Sequence, residues 1–231
     1  MKKVIVEYEN KFTPTRLEGD VSDQNYGLVY DSAKELASDG IFGMTCEIGV
    51  RLGGGSEAII QGFLDGRKGN EFIFHIGVDP YGCMPYEAED GKGKVVLDYG
   101  QKNKHTFLKN TSEWALESQN FEYILLPFKA SDFYQMFGLG IPLYFQSQGL
   151  KCNQYALVHI DGEHSTVQAF KDISFFSDRM VKGGYLIIDN IDYMKHDEFV
   201  RPFLVEHGFT FIDEYKQSNT VFPAKSRYRK K

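Results

Sequence analysis

Short apolar runs alternate along this chain with segments in which apolar residues recur every three or four positions. The runs GMTCEIGV (43–50), EFIFHIGVDP (71–80), FEYILLPF (121–128), QYALVHID (154–161) and YLIIDN (185–190) predict five strands. VYDSAKELAS (29–38) predicts a helix closed by Asp39-Gly40. The next helix carries Ile59, Ile60, Phe63 and Leu64, with Ser56 as its N-cap and Gly66 at its end. Within the polar stretch 81–120 a helix is expected near 101–109, and a short one follows Ser131. Ser165 and Gln168 form a capping-box pattern. Val167, Phe170, Ile173, Phe176 and Met180 then continue a near-helical period to Gly183-Gly184. DEFVRPFLVEHG (197–208) predicts a helix interrupted early by Pro202, and FTFIDEY (209–215) with NTVFP (219–223) a closing strand pair. Strands alternating with helices imply an α/β fold with a doubly wound, mostly parallel sheet, whose ligands bind outside the carboxyl ends of the strands.

Composition narrows the setting. At 231 residues the chain suits one sizeable domain, with a core at about 40–215, an N-terminal extension at 1–39 and a basic tail, KSRYRK with its flanks (224–231). That tail reads as a solvated, frayed terminus. No apolar stretch is long enough to span a bilayer, and the start lacks a secretory signal. Cys46, Cys83 and Cys152 show neither a disulfide framework nor paired zinc-ligand spacing, which favours a reducing cytoplasmic setting. A net charge of -6 argues against a nucleic-acid partner and leaves a small molecule as the expected one. Self-association into a homo-oligomer stays open.

Chemistry concentrates at the predicted strand ends. CEIGVRLGGGS (46–56) places a glycine-rich turn between the first core strand and its helix, where free amide groups can meet an anion. The spacing of Glu47, Gly49 and Gly53 lacks the phosphate-binding G-x-G-x-x-G fingerprint, and no P-loop lysine follows. Asp79 ends the next strand, where an acid can accept from both hydroxyls of a ribose. A nucleoside without a pyrophosphate fits this pair, although a turn before Pro80 would also explain Asp79.

The ordered set EIGVRLGGGS, GVDPYG and IDGEHS…VKGGYLIIDN resembles the class I S-adenosylmethionine-dependent methyltransferases over about residues 40–215. Within them it is similar to the sugar and small-molecule O-methyltransferases with a D-G-x-H-S motif. The resemblance implies a Rossmann-like, seven-stranded sheet with an antiparallel last strand. It also implies that Glu47, Gly49 and Gly53 hold the methionine portion of S-adenosylmethionine and Asp79 its ribose. Ala130, Ser131 and Asp132 would edge the adenine. Gly55-Ser56 stands where relatives often have Ser-Thr, a departure at the Ser56 contact.

Asp161 ends the fourth strand, and Asp189-Asn190 the fifth. If those strands are neighbours, three oxygen ligands converge, a set suited to Mg²⁺ or another divalent cation. The pattern is similar to the metal triad of the catechol and caffeoyl-CoA O-methyltransferases. The alternative is that Asp189-Asn190 turns the chain and Asp161 touches the cofactor. His164 stands three residues after Asp161, where catechol-type enzymes carry a catalytic lysine, and can take a proton near neutral pH. Its alternative is a helix-start histidine bonded to backbone. Glu163 reads as a solvated acid near the helix start and His159 as a satisfied core histidine. His105, His196 and His207 have no motif support; Tyr193, Lys195 and His196 could border an acceptor. The expected activity is O-methylation of a small hydroxylated acceptor, probed against two alternatives: a metal-independent methyltransferase and a catalytically silent cofactor-binding scaffold.

Overall fold

The computed structural model describes residues 5–6, 26–82, 84–96, 99–117, 120–145, 148–215 and 224–231. The strand pair partner expected at 219–223 lies outside them. The predicted core strands form as β2 (Met44–Ile48), β3 (Ile73–Val78), β6 (Phe121–Leu126), β9 (Tyr155–Ile160) and β10 (Met180–Ile188). With β1 (Ile5–Val6), β11 (Phe209–Tyr215) and β12 (Lys225–Lys230) they build one eight-stranded sheet, ordered β1-β11-β12-β10-β9-β2-β3-β6. Apart from β12, which is antiparallel to both neighbours, the pairings are parallel. This is the expected mostly parallel sheet of seven strands, extended at one edge by the two-residue β1.

Helices cover both faces, as a strand buried at every position such as β9 requires. α1 (Gly27–Ser38) packs on α2 (Gly54–Gly66) over Ala156, Leu157 and Ile187, so residues 27–38 of the segment set apart as an N-terminal extension belong to the core. On the other face, α4 (Ala130–Phe137), α5 (Thr166–Ser177) and α6 (Arg201–Glu206) flank a cluster centred on Val158, Ile188, Phe176 and Tyr228. α3 (Gln101–Glu117) runs eight residues beyond its predicted end and buries Phe107 against Val50 and Tyr81. Two hairpins went unpredicted, β4 (Pro85–Glu87) with β5 (Lys94–Val96), and β7 (Ile141–Phe145) with β8 (Gln148–Cys152). Among the described residues no helix is long and apolar enough to cross a membrane.

Three expectations are corrected. α5 stops at Ser177, and Met180 already belongs to β10. Gly183-Gly184, expected to end the helix, is instead an irregularity within β10, where pairing with β9 shifts register. A side chain at Gly184 would stand 2.7 Å from the Ala156 carbonyl, which is why the pattern needs glycine there. Second, Pro202 sits in the first turn of α6, where a missing N–H is tolerated, and a π-helical turn (His196–Val200) precedes it.

The third correction concerns the basic tail, which is not frayed but forms β12, between β10 and β11. Its alternation places Lys225, Arg227 and Arg229 on one face and Ser226 and Tyr228 on the other. The cations meet acids: Arg227 forms a two-pronged pair with Asp213 (3.0 and 2.6 Å), and Arg229 reaches Asp39 (3.2 Å). Tyr228 is fully buried and bonds His196 (2.8 Å).

Candidate active site at the carboxyl edge

The ends of five parallel strands are tied side by side by backbone bonds. Asp79 N donates to Leu126 O, Gly49 N to Val78 O, Asp161 N to Ile48 O and Asp189 N to Ile160 O, all at 2.8–3.2 Å. The acids picked out at separate points of the sequence therefore stand along one edge.

The glycine loop is shaped from below. Glu47 is buried; its carboxylate accepts from Ser56 Oγ (2.5 Å) and meets His159 Nδ1 (3.0 Å). Ser56 also contacts the Tyr123 hydroxyl (2.8 Å) and His75 Nε2 (2.9 Å), while Thr45 meets His75 Nδ1 (2.8 Å). One donor and two lone pairs are all a hydroxyl has, so Ser56 is fully engaged inside the protein. Ser56 is not the helix cap: α2 starts at Gly54, its N-cap is Gly53 at φ 96°, and no side chain caps that end. A Cβ at Gly55 would lie 1.8 Å from Glu47 Oε1. Gly49 (φ 86°) is needed for a packing reason, since a Cβ there would stand 2.0 Å from the Asp161 carbonyl. With no cap, the first amides of α2 lack intrahelical partners and are available to an anion.

Asp79 holds the same loop from the side. Its carboxylate accepts from the amides of Val50 (3.0 Å), Arg51 (2.9 Å) and Tyr81 (2.9 Å). Burial pushes this carboxyl above its ordinary range, against the three amide bonds that pull it down. Three bonds leave room for one more donor on a carboxylate. Ala130, Ser131 and Asp132 form the first turn of α4, with Ser131 and Asp132 exposed at the end of β6.

The expected metal triad is brought together but differently partnered. Asp189 is ion-paired with Lys225, a residue only 3% exposed. The other Asp189 oxygen accepts its neighbour's amide, Asn190 N, at 2.7 Å. Asn190, in the left-handed region at φ 54°, turns its side-chain amide to His164 Nε2 (2.7 Å) rather than towards Asp161. Burial and the Asp189 charge hold the Asp161 carboxyl well above the usual range. Burial would raise Asp189 too, but the Lys225 ammonium outweighs it and holds that carboxyl low. A divalent cation needs carboxylate oxygens at about 2.0–2.6 Å; at Asp189 it would compete with Lys225 on one oxygen and Asn190 N on the other, and be repelled by the ammonium. Asp189 and Asn190 are engaged elsewhere, so the expected Asp161–Asp189–Asn190 set is not arranged for Mg²⁺, whereas Glu47, His159 and Asp161 each bring one ligand atom within 4.8 Å of the others.

His164 has its backbone amide on Glu87 O (3.1 Å) and its ring edge-on to Tyr193. Burial lowers its pKa to about 4, partly offset by Asp189, so the ring is neutral at pH 7. The β4–β5 hairpin supplies this roof: Asp90 accepts from Thr166 N (2.8 Å) and Lys195 N (3.2 Å). Ser165 caps α5 by accepting from Gln168 N (3.2 Å). Gln168's own side chain goes to Asp172 (2.6 Å), leaving the reciprocal half of the capping box unmade. Glu163 accepts from Ser165 Oγ (3.1 Å). His159 is buried with Nε2 unpartnered among the described residues. His196 is buried against Ser226 and Tyr228 and does not border the site.

Lys225 and Tyr26 were missed in the sequence. Tyr26 is buried at the start of α1, its ring 6.0 Å from the Lys225 ammonium, and a Cβ on Gly54 would strike it. The alternation in KSRYRK was a usable signal for the strand that delivers Lys225. Nothing local marks Tyr26.

No family model matches the chain, and no curated protein matches it. Its fold is similar to solved O-methyltransferases. NovP aligns at 14% identity and TM-score 0.56, covering 89% of this chain and 78% of that one. TomG from Streptomyces achromogenes, in complex with S-adenosylmethionine, aligns at 10% identity and TM-score 0.52, over 88% of this chain and 79% of that one. An O-methyltransferase from Bacillus cereus, in complex with S-adenosylhomocysteine, aligns at 15% and 0.50, over 94% and 84%. At such identities the likeness is one of fold.

Proposed function

We propose that the protein is an S-adenosylmethionine-dependent methyltransferase acting on an oxygen of a small hydroxylated acceptor. Fold alone does not carry this, because one fold serves many chemistries. The observation that does is the adjacency of two half-sites. An uncapped glycine helix start, its loop braced by Asp79, adjoins the neutral His164 and the Asp161–Asp189 pair because β2 and β9 are neighbours, with Asp161 N bonded to Ile48 O and Gly49 packed on Asp161.

In this reading the first turn of α2, from Gly53 to Gly55, receives the donor's carboxylate. Asp79 accepts from the ribose through its remaining lone pair, and Ala130, Ser131 and Asp132 border the base. Glu47, Gly49 and Ser56 act one layer down by holding the loop's shape. When bound, S-adenosylmethionine supplies a sulfonium methyl group; the C–S bond breaks with its electron pair staying on sulfur as a C–O bond forms. His164 takes the acceptor's hydroxyl proton at Nε2, exchanging its Asn190 contact for the acceptor. The Glu87 carbonyl anchors the His164 backbone, Asn190 holds the ring until the acceptor takes its place, and Tyr193 borders the acceptor. Catalysis of this kind is chiefly positioning plus electrostatics.

Calorimetry with S-adenosylhomocysteine, S-adenosylmethionine and NAD tests the reading. Saturable binding of the first two and none of NAD is expected. Absence of binding by both adenosyl compounds would overturn it, and methyl transfer to a panel of hydroxylated acceptors separates an enzyme from a silent scaffold.

A further inference from the structure

Lys225 occupies an unusual place for a buried lysine. The parallel strands all end at the carboxyl edge, so their first residues lie at the far side of the sheet. β12 alone runs the other way, and its first residue therefore arrives beside the last residues of β10. Ser226 pairs with Ile188, which puts Lys225 level with Asp189. The ammonium is ion-paired with Asp189, stands over the Tyr26 ring at 6.0 Å, and feels the charges of Asp161 and Glu47. An interior strand and a packed aromatic ring leave it no route to solvent.

Two carboxyl groups at adjacent strand ends repel each other when both are ionised, and a positive charge beside them offsets that repulsion. Each oxygen ligand expected for a divalent cation has another partner here: Lys225 and Asn190 N on Asp189, His164 on Asn190, Asp189 on Asp161. A cation placed among them would sit a few Å from the ammonium and be repelled by it.

We infer that Lys225 is the fixed cation of this site, standing where a divalent metal ion would otherwise bridge Asp161 and Asp189, so that Asp189 and Asn190 take no part in holding a metal. This rests on the methyltransferase reading for its catalytic meaning, but its physical content is about cation binding. Lys225 is a positioning residue: its ion pair holds the Asp189 carboxylate in place, and thereby the Asn190 turn that orients His164.

Manganese(II), whose free-ion electron paramagnetic resonance signal falls on binding, is the probe. The full-length protein is titrated with and without S-adenosylhomocysteine, alongside Lys225→Met, Lys225→Arg and Lys225→Met/Asp189→Asn. Wild type and Lys225→Arg should bind no Mn²⁺ that depends on Asp189. Lys225→Met should gain one site, tighter by roughly 100-fold or more than any wild-type binding, and the double variant should lose it. A merely structural lysine would not move this readout. One wild-type Mn²⁺ site abolished by Asp189→Asn, or a folded Lys225→Met that gains none, overturns the inference. Should Lys225→Met fail to fold, the wild-type and Lys225→Arg titrations still decide. Failure of the methyltransferase reading shows separately, as loss of S-adenosylhomocysteine binding with the Mn²⁺ pattern intact.

Discussion

Replacing Asp79 by alanine should cost both stability and cofactor affinity, and the two losses have different origins. The carboxylate accepts three amide hydrogen bonds, two of them in buried surroundings at Val50 and Tyr81. Leaving a buried amide unsatisfied costs about 1–3 kcal/mol, and the loop can relax to let water reach the half-exposed Arg51. Against this stands the burial of the charge itself. Because the folded pKa is raised, the ionised carboxylate is less favoured in the folded than in the unfolded chain, and its removal returns part of the loss. A net destabilisation of about 2–4 kcal/mol follows, read as a lower urea midpoint at unchanged slope. For S-adenosylhomocysteine, losing the acceptor for a ribose hydroxyl should weaken binding by about 1.5–3 kcal/mol, or roughly 10- to 100-fold by calorimetry. Asp79→Asn, which keeps one acceptor oxygen, should fall between. A folded Asp79→Ala protein with the wild-type urea midpoint would show that the three amides are satisfied without the carboxylate and refute the bracing argument.

Gly53→Val should weaken cofactor binding more than Asp79→Ala does, because a β-branched residue is strained at φ 96° and the first turn of α2 would shift; calorimetry reads it, and normal affinity would make the loop a mere turn. His164→Ala should leave S-adenosylhomocysteine affinity intact and lower the methyl-transfer rate by roughly 10²–10⁴-fold, with a smaller loss at high pH where the acceptor deprotonates unaided. His164 (about 4) and His75 (about 3) both have folded pKa values below the ordinary 6.5, so the unfolded chain takes up protons first as pH falls. Stability should therefore drop from pH 6.5 towards 4, with His164 accounting for about 3 kcal/mol at the low end; urea melts of wild type and His164→Ala at pH 7 and 4.5 should differ in slope with pH, and parallel curves would contradict the assignment.

The site was partly legible because its residues announce themselves locally. Asp79, Asp161 and Asp189 each end an apolar run, and a polar group at the end of a buried strand has only the sheet edge to go to. The glycines after β2 mark a loop no other residue type could build. What those residues do to one another was not legible. Glu47 and Ser56 are nine positions apart, yet their engagement depends on Tyr123, His75 and His159 from three other strands. The metal triad was a matter of three side chains at compatible spacing, and the spacing held while the partners did not.

By itself, then, the sequence determined the alternation of strands and helices, the parallel sheet and the edge at which its acids gather, because these follow from the period of apolar residues and from what punctuates them. Only the tertiary structure decided which charges meet. KSRYRK is basic and polar at every position but one, and hydropathy reads it as solvated; it lies inside the sheet because Asp189, Asp213, Glu35 and Asp39, 14 to 192 positions away, are waiting for its cations. An ion pair is a contact between distant parts of the chain, and a buried lysine is indistinguishable from an exposed one until its partner is placed beside it.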